Sequence, residues 1–167
     1  MMKKKVLLSG AGGFLGSNLC YLLSELDFDI VCLDINKLKL ESLKKKLNKF
    51  TNSKYFFCVD ITNEKKIINI CNFLKKKNFF IDVIINNAAN NPKVKKTKEV
   101  KLMDIKNWKI DLDVGLMGAY ILTKTFANDM KKNNGGSIIN IGSDLSVLSP
   151  NHEIYKSKNK NFLKPIS

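Results

Sequence analysis

Hydrophobic and polar positions along this chain predict strands and helices in regular alternation. Short apolar runs, typical of strands buried on both faces, are each followed by a longer stretch with helical spacing of its apolar residues. The predicted strands are 6–9, 29–33, 55–59, 81–86 and 137–141, and the predicted helices are 14–26, 39–48, 63–77 and 105–132. Such alternation specifies a parallel sheet with helices on both faces. We therefore predict an α/β fold built on a doubly wound parallel sheet.

Two of these helices carry apolar stripes that we expect to face the sheet. The stripes comprise Ile67, Ile68, Cys71 and Leu74 in the first, and Trp108, Leu112, Leu116, Tyr120, Leu122 and Phe126 in the second. The lysine runs 44–46, 65–66 and 75–77 fall on polar sides or ends of helices. Asn133-Asn134-Gly135-Gly136 ends the long helix, and 137–141 is then predicted as a fifth buried strand.

The first strand leads into a glycine-rich turn and then into a helix, which is the signature of a dinucleotide-binding crossover. Gly10 allows the tight turn, Gly13 removes a side chain where a pyrophosphate must approach, and Gly16 lets the helix pack closely on the sheet. The phosphates would lie at the helix N-terminus. Glycine also serves any tight strand-to-helix turn, so this alternative stays open. The candidate cofactor-binding residues here are Gly10, Gly12, Gly13, Phe14, Leu15 and Gly16.

Asp34 ends the second strand, about 20 residues after the glycines, where this fold needs a carboxylate for the adenosine ribose. A carboxylate there accepts hydrogen bonds from the ribose hydroxyls and repels a 2′-phosphate, which favours NAD over NADP. The chain contains no arginine to bind a 2′-phosphate, although Lys37 offers a poorer point charge. The alternative is an ordinary strand-end or helix-capping aspartate.

Length and composition indicate one soluble domain spanning residues 1–167. The chain has 167 residues, its hydrophobic content is 44%, and no apolar run reaches membrane-spanning length. We expect a cytoplasmic protein without a membrane partner. The four cysteines lie in apolar surroundings without a Cys-x-x-Cys pair, which favours reduced core residues over metal or disulfide sites. They are Cys20, Cys32, Cys58 and Cys71.

The formal net charge of +14 raises the question of nucleic-acid binding. All 29 basic residues are lysines, whereas specific base recognition relies heavily on arginine. No nucleic-acid-binding module is recognisable. We therefore expect solvated helix faces and no specific nucleic-acid partner.

The whole chain resembles the N-terminal two-thirds of a short-chain dehydrogenase/reductase, because five landmarks occur in the order and at the spacing of that family. They are the glycine loop, Asp34, Val59-Asp60-Ile61, Asn86-Asn87-Ala88-Ala89, and the strand ending in Ser143. The segments 143–147 and 164–167 look most similar to bacterial members associated with flagellin modification and surface-sugar pathways. The family's fold is a Rossmann fold, and its activity is hydride transfer between a nicotinamide cofactor and a carbonyl or alcohol substrate, here with a sugar among the candidates.

The resemblance also implies roles for individual residues. Asp60 and Ile61 would hold the adenine, and the nicotinamide ribose side would be lined by Asn86, Asn87, Ala88 and Ala89. Ser143 would hydrogen-bond the substrate carbonyl or hydroxyl and is the one candidate catalytic residue. Such a hydroxyl faces the crevice at the carboxyl ends of the strands. The alternative for Ser143 is a serine that begins a turn.

Three positions depart from the family's pattern. Phe14 replaces a glycine of the classical loop, so the spacing is nearer to that of the extended subfamily. Ala89 replaces a glycine. Counting from Trp108, the family's helix asparagine falls at Gly115, which removes a side chain from the expected proton relay.

The gravest departure concerns the family's tyrosine with a lysine four residues later. That lysine lowers the pKa of the tyrosine, so that the phenol exchanges a proton with the substrate. We expect the pair to be absent, because Tyr155, at about the right distance after Ser143, has Asn159 four residues on. Lys158 is a candidate substitute, three residues from Tyr155 on a shared helical face.

We therefore expect a chain cut short after the fifth strand, before its catalytic helix and last strands. The fifth strand would become an edge with partly uncovered apolar faces, and a homo-oligomer is expected only of a full-length form. Three alternatives stay open: an epimerase or dehydratase of the extended type, a noncatalytic dinucleotide-binding protein, and a polyanion-binding protein.

Overall fold

The computed structural model describes residues 3–90 and 105–143, together with the backbone of residues 156–157 and 160–161. The main sheet of this part of the chain has five parallel strands in the order β3-β2-β1-β4-β5. The strands are β1 (Lys5–Ser9), β2 (Asp29–Asp34), β3 (Lys54–Cys58), β4 (Val83–Asn86) and β5 (Ser137–Asn140). The strand order reverses between β1 and β4, as in a doubly wound Rossmann fold. The predicted fold class is confirmed.

Helices connect consecutive strands. They are α1 (Phe14–Glu25), α2 (Lys37–Leu47), α3 (Glu64–Lys76), α4 (Ile105–Leu112) and α5 (Gly118–Lys132). A five-residue π-helical stretch, Asp113–Met117, joins α4 to α5, so one continuous helix spans the predicted range 105–132. Asn36 and Asn63 cap α2 and α3, because each side-chain oxygen accepts a hydrogen bond from a backbone N–H three residues on.

Two apolar layers cover the faces of the sheet, because successive side chains of a strand point to opposite sides. One layer joins β1 and β2 to α1 and α2 and comprises Val6, Leu8, Cys20, Ile30, Cys32, Leu40, Leu43 and Leu47, among others. The opposite layer lies under α3 and α5 and comprises Leu7, Val31, Leu33, Ile67, Leu74, Ile84, Leu122 and Phe126, among others.

The prediction that the fifth strand is buried is wrong, whereas the expectation of an edge strand with partly uncovered apolar faces is confirmed for the described residues. Every residue of β5 is exposed, with exposed fractions of 42% for Ile138 and 44% for Ile139. The physical reason is position: β5 pairs with β4 on one side and forms an edge of the described sheet. Its apolar side chains therefore lack the neighbouring strand and helices that cover β1.

The stripe of the long helix is likewise buried only in its second half. Leu122 and Phe126 lie in the core, whereas Trp108, Leu112, Leu116 and Tyr120 are between 41% and 69% exposed. None of the residues of α4 is buried, because the helix packs on the sheet only along α5.

Two smaller expectations also fail. Ile68 is 41% exposed, because it lies beside the stripe of Ile67, Cys71 and Leu74 and not on it. Cys58 is exposed at the end of β3, where its thiol donates to the carbonyl of Ile35, so it is not a core residue.

Candidate functional site

The candidate site lies at the carboxyl edge of the sheet. Because the strands are parallel, the loops that follow β1, β2, β4 and β5 all leave the sheet at this edge. The strand order changes between β1 and β4, so the loops that follow these two strands lead to helices on opposite faces of the sheet. A crevice opens between these two loops, and doubly wound sheets bind their ligands in such a crevice.

The glycine loop leaves β1 through a backbone conformation that only glycine adopts easily. Gly10 has a φ of 67°, and a Cβ at this position would lie 2.9 Å from the Cα of Ala88. The loop therefore turns directly against the backbone that follows β4. The amide of Ala11 donates to the carbonyl of Leu33 at 3.0 Å, which ties the loop to β2 as well.

Gly16 and Gly13 differ in what surrounds them. A Cβ on Gly16 would collide with the carbonyl of Gly10, so α1 starts in close contact with the turn, as the sequence predicts. A Cβ on Gly13 would meet only the Gly10 carbonyl oxygen, at 3.2 Å. Gly13 precedes the first turn of α1, and no side chain of the described residues caps the N-terminus of this helix. Its N-terminal N–H groups therefore form an anion-binding terminus that a pyrophosphate fits.

Phe14 and Leu15 occupy the outer surface of this terminus. Phe14 is 90% exposed and Leu15 is 45% exposed. Because their side chains do not cover the helix N-terminus, we expect both residues to contribute to cofactor binding only through their backbone N–H groups.

Asp34 lies beside the glycine loop, at the position where the sequence predicts an acceptor for a ribose. Its carboxylate accepts hydrogen bonds from the backbone N–H of Gly12 at 2.7 Å and from that of Asn36 at 2.8 Å. The cap of α2 is Asn36, so Asp34 is not the helix-capping aspartate of the alternative interpretation. Each carboxylate oxygen keeps a lone pair, which suits it to accept a ribose hydroxyl.

Asn87 holds the two central loops together. Its side-chain NH₂ donates to the carbonyls of Ser9 at 3.0 Å and Gly10 at 3.2 Å. The Ser9 hydroxyl accepts from the backbone N–H groups of Asn87 and Ala88, both at 3.1 Å. Both amide hydrogens of Asn87 are thus used within the protein, and its place in the candidate site is to position the loop. Ser9, which sequence analysis did not single out, completes this brace.

The other candidate residues at the end of β4 and in the loop after it differ in their exposure to solvent. Asn86 is buried, and its side-chain NH₂ donates to the side-chain oxygen of Asn140 in β5 at 2.8 Å. Ala88 is half-buried against the glycine loop, and Ala89 is exposed. Ala88 and Ala89 therefore present mainly backbone to the crevice.

Asp60 and Ile61 follow β3 at the same edge. The Asp60 carboxylate is exposed and accepts from the Thr62 backbone N–H at 2.9 Å and hydroxyl at 2.8 Å. The Ile61 side chain points into the core, where a Cβ on Gly118 would lie 2.5 Å from its Cδ1. Ile61 can thus offer only its backbone to an adenine. Gly118 was missed by sequence reasoning, although a glycine inside a helix is itself a signal of close packing.

Ser143 lies just beyond β5 and is exposed. The pairing of β4 and β5 continues past the strands, since the Ile141 backbone N–H donates to the Asn86 carbonyl at 2.9 Å. Ser143 therefore emerges at the edge that carries the β4 loop.

The expectation that the chain lacks the tyrosine–lysine spacing altogether is wrong. Tyr120 and Lys124 have this spacing in α5, ahead of Ser143 in the chain instead of after it. Tyr120 is 57% exposed, and the Lys124 ammonium binds the Glu64 carboxylate at 3.0 Å, which raises the pKa of the lysine. This pair differs in place and partners from the one the resemblance requires.

The candidate substitute, Tyr155 with Lys158, lies outside the described residues. Between them, Lys156–Ser157 forms a short strand, β6, which pairs antiparallel with β7 (Lys160–Asn161).

The remaining cysteines behave as core residues. The Sγ atoms of Cys20 and Cys32 lie 3.5 Å apart in the layer under α1, and this hydrogen bond, together with burial, raises the pKa of Cys32 well above its ordinary value. Burial raises the pKa of Cys71 to about 11. Among residues 3–90 and 105–143, no group of three His, Cys, Asp or Glu side chains is placed to hold a metal ion. No helix in the same ranges combines the length and apolarity needed to cross a membrane.

Comparison with known proteins agrees with this geometry. The family model described as short chain dehydrogenase matches residues 4–159. An uncharacterized oxidoreductase of Saccharomyces cerevisiae is 33% identical over 144 residues, which cover 86% of this chain and 44% of that protein. The 3-oxoacyl-[acyl-carrier-protein] reductase FabG of Buchnera aphidicola is 24% identical over 161 residues, covering 96% of this chain and 63% of the reductase. The chain spans about half the length of the curated relatives it matches.

Solved structures show the same fold. NAD⁺-bound xylitol dehydrogenase superimposes with a TM-score of 0.78 at 24% identity, covering 88% of this chain and 55% of that chain. A metagenomic short-chain oxidoreductase in complex with NADP gives a TM-score of 0.72 at 22% identity, covering 84% of this chain and 62% of that chain.

Proposed function

Because the chain belongs to the short-chain dehydrogenase family, we propose that it binds NAD(H) at the carboxyl edge of its sheet and serves hydride transfer between nicotinamide and a carbonyl or alcohol substrate. The observation that carries the proposal is the Gly12–Asp34 hydrogen bond of 2.7 Å beside a helix N-terminus that no side chain caps. One end of this cradle suits a ribose and the other a pyrophosphate.

Each part of the cradle has a separate task. The N-terminal N–H groups of α1 bind the pyrophosphate, and Gly13 leaves room for its approach. Asp34 accepts the ribose hydroxyls, which is the reason for preferring NAD. Asp60 and Ile61 line the adenine, and the backbone of Ala88 and Ala89 lines the nicotinamide ribose. When bound, the nicotinamide supplies or accepts the hydride.

Ser143 provides the contact to the substrate. Its hydroxyl donates a hydrogen bond to the substrate carbonyl, or accepts one from the hydroxyl in the reverse direction, and so orients the carbon that exchanges the hydride. Carbonyl reduction also consumes a proton at the substrate oxygen, and alcohol oxidation releases one there; solvent water supplies or takes up that proton. A sugar is our candidate substrate, on the ground of the resemblance that segments 143–147 and 164–167 suggest in the sequence alone. Four unpaired cysteines support a cytoplasmic location.

Binding is tested first, by titrating the protein with NADH and following the nicotinamide fluorescence. Replacing Asp34 with alanine removes the ribose acceptor and should weaken NADH binding about tenfold, as expected for the loss of hydrogen bonds to a charged group. Asp27→Ala is the matched control, since this exposed carboxylate pairs only with Lys3 at 2.7 Å and should leave NADH affinity unchanged. Failure of the unaltered protein to bind NADH would refute the proposal.

Catalysis is tested separately with a panel of sugar, alcohol and carbonyl substrates. Ser143→Ala should lower kcat about a hundredfold while NADH affinity stays the same, because the residue touches the substrate and not the dinucleotide. NADH binding without turnover of any substrate would instead support the noncatalytic dinucleotide-binding alternative.

A further inference from the structure

The loop that follows β4 has a second attachment, three residues after Asn87. The Asn90 side-chain NH₂ donates to the Asp111 carboxylate of α4 at 2.7 Å. The two residues are 21 positions apart in the chain, and both are half-buried. A hydrogen bond of this length to an ionised acceptor is of the stronger, charge-assisted kind. It therefore joins the loop at Asn90 to the helix α4.

This bond lies in a part of the molecule that apolar packing does not hold. No residue of α4 is buried, and Trp108, Ile110 and Leu112 are all exposed. Segments with few buried apolar contacts open at a lower free energy than the core does. Loss of the Asn90–Asp111 bond should therefore change the position of the loop much more than the global stability of the fold.

The two attachments lie on either side of the backbone that the proposed function assigns to the nicotinamide ribose. Asn87 binds the glycine loop, and the backbone N–H of Ala88 donates to the Ser9 hydroxyl at 3.1 Å. Ala89 follows and is exposed, and its side chain can make no hydrogen bond. The position of the Ala89 backbone therefore depends on how the next residue, Asn90, is held.

We propose that Asn90 and Asp111 are positioning residues that hold the β4 loop in the conformation that receives the nicotinamide half of the dinucleotide. The inference rests on the proposed dinucleotide site and adds to it a contact that does not itself touch the cofactor. A loop that is already held before the ligand arrives loses less freedom on binding. The gain in affinity belongs only to the half of the cofactor that the loop contacts, since the proposed adenosine and pyrophosphate contacts come from other loops.

The test compares NADH with ADP, which carries the adenosine and the pyrophosphate but lacks the nicotinamide riboside. Asp111→Ala, in the full chain, should weaken NADH binding about fivefold, through the cost of ordering the loop, and leave ADP binding within about twofold. Asp113→Ala is the matched control, because it removes an exposed carboxylate two residues further along the same continuous helix, and it should change neither affinity. Titration calorimetry measures both affinities.

Exchanging the two side chains tests whether the hydrogen bond itself is the cause. Asn90→Asp alone places two carboxylates against each other and should weaken NADH binding at least as much as Asp111→Ala does. Adding Asp111→Asn to it returns a donor and a carboxylate to the pair in the opposite order. NADH affinity should then return to within about twofold of that of the unaltered protein.

The outcomes separate this inference from the proposed function. Equal weakening of NADH and ADP binding by Asp111→Ala, or no change in either, would overturn the positioning role and leave the proposed dinucleotide site intact. Failure of the exchanged pair to restore NADH affinity would also overturn it, because the hydrogen bond would then not be the cause of the loss. Binding of neither NADH nor ADP by the unaltered protein would refute both proposals. Thermal melting reports that each variant is folded.

Discussion

The crossover from β1 through α1 to β2 contrasts with the region from α4 to β5. In the crossover, the apolar residues of both strands are fully buried, and the helix starts against the backbone of the turn. In the second region, α4 has no buried residue and every residue of β5 is exposed. The proposed dinucleotide site is thus assembled among well-packed residues, whereas the strand that leads to Ser143 is uncovered by the described part of the chain. The proposed binding and the proposed catalysis should therefore be separable.

Two glycines give the largest expected difference between these regions. Gly16→Ala places a Cβ against the Gly10 carbonyl, so we expect a loss of about 3 kcal/mol of unfolding free energy or more, together with loss of NADH binding. Gly115→Ala meets nothing within 4 Å in the π-helical stretch and should stabilise by about 0.5 kcal/mol. Urea denaturation and NADH titration measure both effects. Equal destabilisation by the two variants would show that α4 to α5 is as tightly packed as the crossover.

Truncating one apolar residue in each region tests how far β5 is covered in solution. Leu7→Ala removes a side chain with no exposure from β1 and should cost about 3 kcal/mol, because it leaves a cavity. Ile138→Ala removes a side chain that is 42% exposed, and should cost about 1 kcal/mol or less. The midpoints of urea denaturation of both variants measure these two costs. A cost for Ile138→Ala close to that for Leu7→Ala would mean that something covers β5 in solution.

Asn87 braces the loop after β4 against the crossover, and its removal should have an intermediate effect. Asn87→Ala removes the side-chain donor to the carbonyls of Ser9 and Gly10, of which the Gly10 carbonyl keeps the Gly13 N–H at 3.0 Å, at an expected cost of about 2 kcal/mol. Asn18→Ala is the control, since the Asn18 side chain is on the exposed surface of α1 and bonds only to the Phe14 carbonyl. Thermal melting and NADH affinity should both fall for the first variant and hold for the second. A neutral Asn87→Ala would show that the brace is dispensable.

The smallest expected effect is a pH dependence where α3 meets α5. Burial raises the pKa of Cys71 from about 9 to about 11, so the folded state keeps the thiol proton that the unfolded chain releases. Stability from this group is complete below about pH 9 and is lost as the pH rises through about 11. Cys71→Val should flatten the alkaline decline of the urea midpoint, and Cys58→Val, at an exposed thiol, should not. Identical pH profiles for both variants would contradict this assignment.

Much of the fold and part of the candidate site follow from local sequence signals. The strand at β1, the glycine turn and Asp34 were predictable because each depends on a few adjacent residues: an apolar run, a positive φ at Gly10, and a carboxylate at the end of a strand. The brace made by Asn87 was not, since its partners Ser9 and Gly10 are far away in sequence and depend on the way two loops meet.

The sequence by itself determined the alternation of strands and helices and the places where glycine is required. These properties are set by backbone conformation and by the period of apolar residues. The tertiary structure decided which apolar stripes are covered and which side chains are used to hold the loops. An apolar residue on β5 has the same pattern as one on β1, and only the neighbours on either side of the strand make one buried and the other exposed.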